Sequence, residues 1–214
     1  MAKIRPWHLV AIPDDEPAFQ IMTSPRRVVA WVASLNLGYF VIEIAVALAI
    51  GSVSLFADSI DFLEDTSVNT LVFFALKWPA ERRVRVARLL AVLLLVPSLA
   101  TAWMAWHKFA TQTVPAPVPL SITGLGALIV NLSCALLLAR VRHQGGSLMR
   151  AAFLSARNDA LANVAIIAAG ALTVWRPTPW PDLVVGLGIF FLNLDAAREV
   201  LESARRERSR VTSP

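Results

Sequence analysis

Six long apolar stretches, each closed by glycine, proline or a run of charge, constrain this chain more than any other feature. They cover Val28–Ile50, Ser52–Leu76, Val86–His107, Leu120–Arg140, Leu148–Trp175 and Leu183–Leu201. A helix rises about 1.5 Å per residue and a bilayer's hydrocarbon core is about 30 Å thick, so windows of this length can cross it. The segments "GS", "KWPAERRVR", "TQTVPAPVP", "RVRHQGGS" and "RPTPWP" separate them, and all but the first contain proline or paired glycine, the usual stop signals of helices. Pro97 lies inside the third window and is expected to kink it. "AREVLESARRERSR" should prolong the sixth helix as a charged tail. With 57% hydrophobic and 16% charged residues and a mean hydropathy of +0.61, the chain has too few charges to clothe a water-soluble surface. The expected fold class is an all-α membrane protein of six transmembrane helices. Residues 1–25 form an N-terminal tail, 26–202 the helical domain and 203–214 a short basic tail.

The positive charges are unevenly placed. Lys3, Arg5, Arg26 and Arg27 precede the first window, and Lys77, Arg82, Arg83, Arg85 and Arg88 link the second to the third. Arg140, Arg142 and Arg150 flank the fourth link, and Arg198, Arg205, Arg206, Arg208 and Arg210 follow or end the sixth window. The opposite loops hold only Lys108 and Arg176. By the positive-inside rule both termini are expected in the cytoplasm, in a multi-pass protein of the plasma membrane. The net charge of +5 therefore reports topology, not a nucleic-acid partner. "MAKIRPWHLVAIPDDEPAFQ" has prolines and acids where a signal peptide needs an apolar core. One cysteine, Cys134, excludes an intrachain disulfide and a CxxC metal knuckle. No Ser/His/Asp set, glycine-rich phosphate loop or HExxH supports an enzyme, and no prosthetic group is expected.

The second window contains "ADSIDFLED". At about 100° per residue, Asp58, Asp61 and Asp65 fall within about 60° of each other, with Glu64 about 60° further round. A charge at bilayer depth costs about 2.5–3.5 kcal/mol on the mild insertion scale, so this face must look into the bundle. In the fifth window, "FLSARNDALANVAII", Ser155 and Asp159 share a face that Asn163 continues. Asp61 and Asp65 facing Asp159 would make an oxygen-rich cage for a divalent cation. The alternative is that Arg157 neutralises one acid and the remainder serve as interhelical hydrogen bonds. Glu43 is a candidate proton group or entry ligand. Asn36 and Asn131 read as packing hydrogen bonds, and all three are expected away from the main interface. His107, beside Trp103 and Trp106, reads as a membrane-interface residue, while His8 and His143 lie in a tail and a loop.

These residues resemble the transmembrane domain of the cation diffusion facilitator family, six helices with cytoplasmic termini and a transport site between helices two and five. The family's second helix follows S-L-x-L-x-A-D-x-x-[HD]-x-x-x-D, and "SVSLFADSIDFLED" places Asp61 and Asp65 on its two ligand positions, with Asp58 just before them. The fifth helix's [HD]-x-x-x-D becomes "SARND", matching Asp159 but putting Ser155 where a first ligand should be. "YFVIEIAVALAIGS", "LIVNLSCALLL" and "WPDLVVGLGIFFLNLDAAREVL" look like the first, fourth and sixth helices, including the Asp182 that opens the sixth. The family's usual cytoplasmic C-terminal domain has no counterpart among the roughly dozen residues after the last helix. The resemblance implies export of a divalent transition-metal cation such as Zn²⁺, Mn²⁺ or Fe²⁺ in exchange for protons, with the metal as substrate. The implied ligands are Asp61, Asp65, Asp159 and Ser155, with Asp58, Asn158 and Glu43 as accessories, and a second copy of the chain is a candidate partner through the transmembrane region. With serine in place of histidine, the donor set tilts toward harder ions than Zn²⁺. The alternative function is a non-transporting relative with an assembly or regulatory role.

Overall fold

The computed structural model describes residues 24–75, 82, 85, 99–141 and 146–194. Among these the chain forms six helices and no strand. They are α1 Pro25–Ile50, α2 Val53–Ala75, α3 over 99–111, α4 Pro117–Val141, α5 Gly146–Trp175 and α6 Trp180–Leu194. The expected kink at Pro97, most of the basic link after α2, the tail beyond Leu194, His8 and His143 lie outside the described residues. α1, α4 and Ala152–Trp175 of α5 are each long and apolar enough to cross a membrane. α2 has the length but interrupts its apolar sequence with four carboxylates.

α1, α2, α5 and α4 pack in a ring, each against the next, with α1 closing onto α4. Val28, Val29 and Val32 of α1 meet Cys134, Leu138 and Val141 of α4 and Ala152 and Ala156 of α5 in one apolar cluster. A second cluster joins Ala47, Leu55, Ile60, Leu120, Ile166 and Ile189. Leu37, Val41, Leu48, Ile122, Ile129, Leu136 and Leu161 point outward and are exposed, as lipid-facing side chains are. The chain is an integral membrane protein.

Gly51 ends α1 in the left-handed region, φ 63°, where a Cβ would be strained. Ser52 then caps α2, its hydroxyl accepting the Leu55 N–H at 3.2 Å. Beside this turn the starts of α2 and α6 come unusually close. A Cβ on Gly186 would stand 2.8 Å from the Ser54 nitrogen, so only glycine admits the α6 backbone there.

At that junction lies a buried polar knot. Asp182, in the first turn of α6, accepts from the Ser52 hydroxyl (2.6 Å), the Val53 N–H (2.8 Å), the Ser54 N–H (3.1 Å) and the Ser54 hydroxyl (2.6 Å). Lys108 of α3 completes it, with Nζ 2.7 Å from Asp182 Oδ2 and 2.7 Å from the Gly51 carbonyl oxygen. The carboxylate thus serves the N-terminal dipoles of α2 and α6 together. The third window was expected to end at His107, leaving Lys108 as a loop charge. Instead α3 runs to residue 111 and Lys108 is 2% exposed, because its ammonium has a buried partner. The sixth helix likewise starts at Trp180 and not at Leu183, since Pro181 suits a first helical turn. Trp103, Trp106, Trp175 and Trp180 are exposed at this same end, an aromatic belt of the kind found at a membrane interface.

Candidate transport site

The acidic face of α2 turns inward, as its helical period requires. Asp58, Asp61 and Asp65 are buried, and Glu64 is half-buried at the edge of the stripe. One cavity of about 530 Å³ receives Asp61, Glu64 and Asp65 from α2 and Ser155, Asn158 and Asp159 from α5. α6 contributes Asn193, and Leu161, Ala162, Ile189 and Leu192 form an apolar wall. The cavity lies toward the Leu194 end of α6, away from the Asp182 knot.

Neutral donors hold the two α2 carboxylates. Asp65 accepts from Asn36 Nδ2 at 3.3 Å and from the Ser155 hydroxyl at 3.1 Å, and Asp61 accepts a short hydrogen bond from Asn193 Nδ2. Among the described residues, no three Asp, Glu, His or Cys side chains stand close enough together to hold a metal ion as placed. Asp61, Asp65, Asp159, Ser155 and Asn158 thus share the walls of one cavity, whereas Asp58 and Glu43, expected as accessories, do not line it. The oxygens of Asp61 and Asp65 are engaged with amide and hydroxyl groups. Arg157 is exposed and donates to Asn158 Oδ1 at 3.3 Å.

Residues 29–207, most of the chain, match the family model described as the cation efflux transmembrane domain. The chain belongs to the cation efflux family. No curated protein is similar enough to the chain to count as a match. Family membership makes the protein a transporter of metal cations, with the metal cation as its substrate.

Within this cation efflux domain, three polar residues of the bundle stand closer to the acids than their sequence context indicated. Asn36, Glu43 and Asn131 were expected away from the main interface, yet all three are buried within it. Asn36 binds Asp65, and Asn131 donates at 3.0 Å to Asn163, which in turn donates to Asp58. The reason is the helical period of α1. Asn36 and Glu43 are seven residues apart and so share the stripe that Val29, Val32 and Ala47 also occupy. Glu43 and Asp58 are fully buried, with both Glu43 oxygens and Asp58 Oδ1 lacking a hydrogen-bond partner, and neither residue lines the cavity. Asn193 is a further polar residue of the site, and an amide in the apolar run "IFFLNL" is itself a signal in the sequence. Cys134 is buried, with Sγ 3.4 Å from Asn36 Oδ1, and His107 is exposed beside Trp103 and Trp106.

Proposed function

We propose that this protein exports a divalent transition-metal cation from the cytoplasm in exchange for protons, using Asp61, Asp65 and Asp159 as the principal ligands and Ser155 as a weak fourth. The observation that carries this reading is the shared cavity. Acids from α2 and α5 meet there, and the hydrogen bonds to Asp61 and Asp65 come from neutral groups. The non-transporting reading needs Arg157 to neutralise the acids, whereas its guanidinium is exposed and donates to Asn158. The arginine asymmetry supports cytoplasmic termini, and with them the Asp182 knot belongs at the outer face. The cavity then lies on the cytoplasmic side of the knot, where a cation awaiting export would enter.

Protons and metal compete for the same carboxylate oxygens, so metal binds when the acids are ionised and leaves when they are protonated. Three carboxylates and a hydroxyl are hard donors, which suits Mn²⁺ or Fe²⁺ better than Zn²⁺. Flux measured in reconstituted vesicles, with several divalent ions outside and a pH dye inside, tests the reading. Metal entry accompanied by counterflow of protons is expected. Vesicles that move no ion above the protein-free rate refute it.

Ser155→His provides a sharper test of the donor set. The serine hydroxyl already reaches Asp65, so an imidazole there can complete a nitrogen-containing shell of the kind zinc favours. The Zn²⁺/Mn²⁺ preference in competitive binding should rise roughly tenfold or more, the scale on which changes around a metal alter affinity. An unchanged ratio would remove Ser155 from the ligand set.

A further inference from the structure

Four asparagine side chains reach the acids or line their cavity, and in three of them the amide oxygen is already occupied. Asn36 donates to Asp65, and its Oδ1 accepts from the Cys134 thiol at 3.4 Å. Asn163 donates to Asp58 and accepts from Asn131 at 3.0 Å. Asn158 Oδ1 accepts from Arg157 at 3.3 Å. Asn193 of α6 differs. Its Nδ2 donates to Asp61 Oδ1, and it stands in the cavity wall with Asp61, Asp65, Ser155 and Asp159. Among the described residues nothing donates to its amide oxygen.

A carboxylate without a cation attracts the N–H end of a neighbouring amide. A cation at that carboxylate reverses the preference, repelling the N–H and drawing in the carbonyl oxygen. The two ends of an asparagine exchange by a half-turn about χ2, a broad and roughly two-fold torsion that needs no movement of the backbone. A cavity of about 530 Å³ leaves room for that turn. Asp61 and Asn193 already touch, whereas no three acids among the described residues stand close enough to share an ion as placed. An ion held first by this pair therefore demands the least rearrangement. Added to three carboxylates and a hydroxyl, an amide oxygen also moves the donor set from the tetrahedral kind that suits Zn²⁺ toward the all-oxygen, octahedral kind that suits Mn²⁺.

The geometry points to Asn193 as a cargo ligand contributed by α6, which turns its amide to give Oδ1 to the cation at Asp61 and selects for six-coordinate, oxygen-preferring ions. The inference rests on the transport reading above and adds to it a third helix and a selectivity-determining residue. As the cation leaves, the amide turns back, and its N–H again holds Asp61.

Mn²⁺ and Zn²⁺ binding to the full chain in detergent tests this, together with infrared difference spectra between metal-loaded and metal-free protein. Asn193→Leu keeps the size of the side chain and removes both amide atoms. Its Mn²⁺ affinity should fall by about tenfold or more and its Zn²⁺ affinity by less, so the Mn²⁺/Zn²⁺ preference drops. Asn193→Asp keeps an oxygen in place but loses the N–H, and it should bind Mn²⁺ at least as tightly as the parent. A residue that only positions Asp61 through its N–H would lose affinity alike in both variants, and that outcome overturns the proposal. In the parent, Mn²⁺ should move a side-chain amide carbonyl stretch to lower frequency, because coordination weakens the C=O bond. The moved band should be missing from Asn193→Leu, and its survival there, or an unchanged Mn²⁺ affinity, also overturns the proposal. Asn193→Asp lacks the amide as well and supplies the same spectral comparison if the leucine variant fails to fold. Asp65→Ala separates the two readings. Mn²⁺ binding that is lost in Asp65→Ala but unchanged in Asn193→Leu refutes this inference alone. A parent that binds neither ion refutes the transport reading and this inference with it.

Discussion

Asp65→Ala is expected to reduce metal flux in reconstituted vesicles by at least about 100-fold, because losing a direct ligand should exceed the 10- to 100-fold effects of outer partners. Insertion should survive, since removing a charge from bilayer depth relieves a penalty of about 2.5–3.5 kcal/mol. The alanine leaves Asn36 Nδ2 and the Ser155 hydroxyl without their acceptor, so some loss of thermal stability is expected. Asp65→Asn separates the two effects. It preserves the shape and one acceptor oxygen, and it should be as inactive as alanine with less destabilisation. Flux and gel-filtration profiles on the same preparations give the answer. Parental flux in either variant would show that α2 does not carry the site through Asp65.

The Asp182 knot should produce the largest stability effects. Asp182→Ala removes the acceptor of five donors and leaves the Lys108 ammonium with the Gly51 carbonyl alone. Breaking a buried pair from one side costs about 3–5 kcal/mol, and α2 also loses the group that satisfies its first N–H donors. Lys108→Met should be milder, about 1–3 kcal/mol, because Asp182 retains two hydroxyls and two backbone N–H groups. The double variant should resemble Lys108→Met more than Asp182→Ala, since it leaves no unpaired ammonium. Thermal unfolding in one detergent establishes the order. Equal losses in the two single variants would mean that the ion pair matters and the helix cap does not.

The period of each helix was legible in the sequence, and with it the acidic stripe of Asp58, Asp61 and Asp65 and its partner face on α5. The positions of the turns at Gly51 and before Pro181 were also near the surface of the sequence, because glycine and proline act locally. The pairing of faces was not. Asn36 and Glu43 stand seven residues apart on α1, so a common face could be read, but nothing local says that this face meets α2. Lys108 was harder still. A lysine at the edge of an apolar window ordinarily reaches toward water, and only the distant Asp182, 74 residues on, makes its burial tolerable. Asn193 belongs to the same class, since its partner Asp61 lies 132 residues away.

The neutral hydrogen bonds on Asp61 and Asp65 also bear on residence time. On the proposed reading, a cation arriving at Asp61 and Asp65 must displace or rearrange three such contacts, from Asn193, Asn36 and Ser155. Each is worth about 0.5–1.5 kcal/mol net, so together they subtract from the grip of the carboxylates. The same groups return as the ion departs and lower the barrier to letting go, and affinity differences of this kind fall mainly on the dissociation rate. Carriers must release their cargo on every cycle, unlike storage proteins. Amide and hydroxyl donors waiting beside the acids favour brief occupancy and rapid turnover over tight capture.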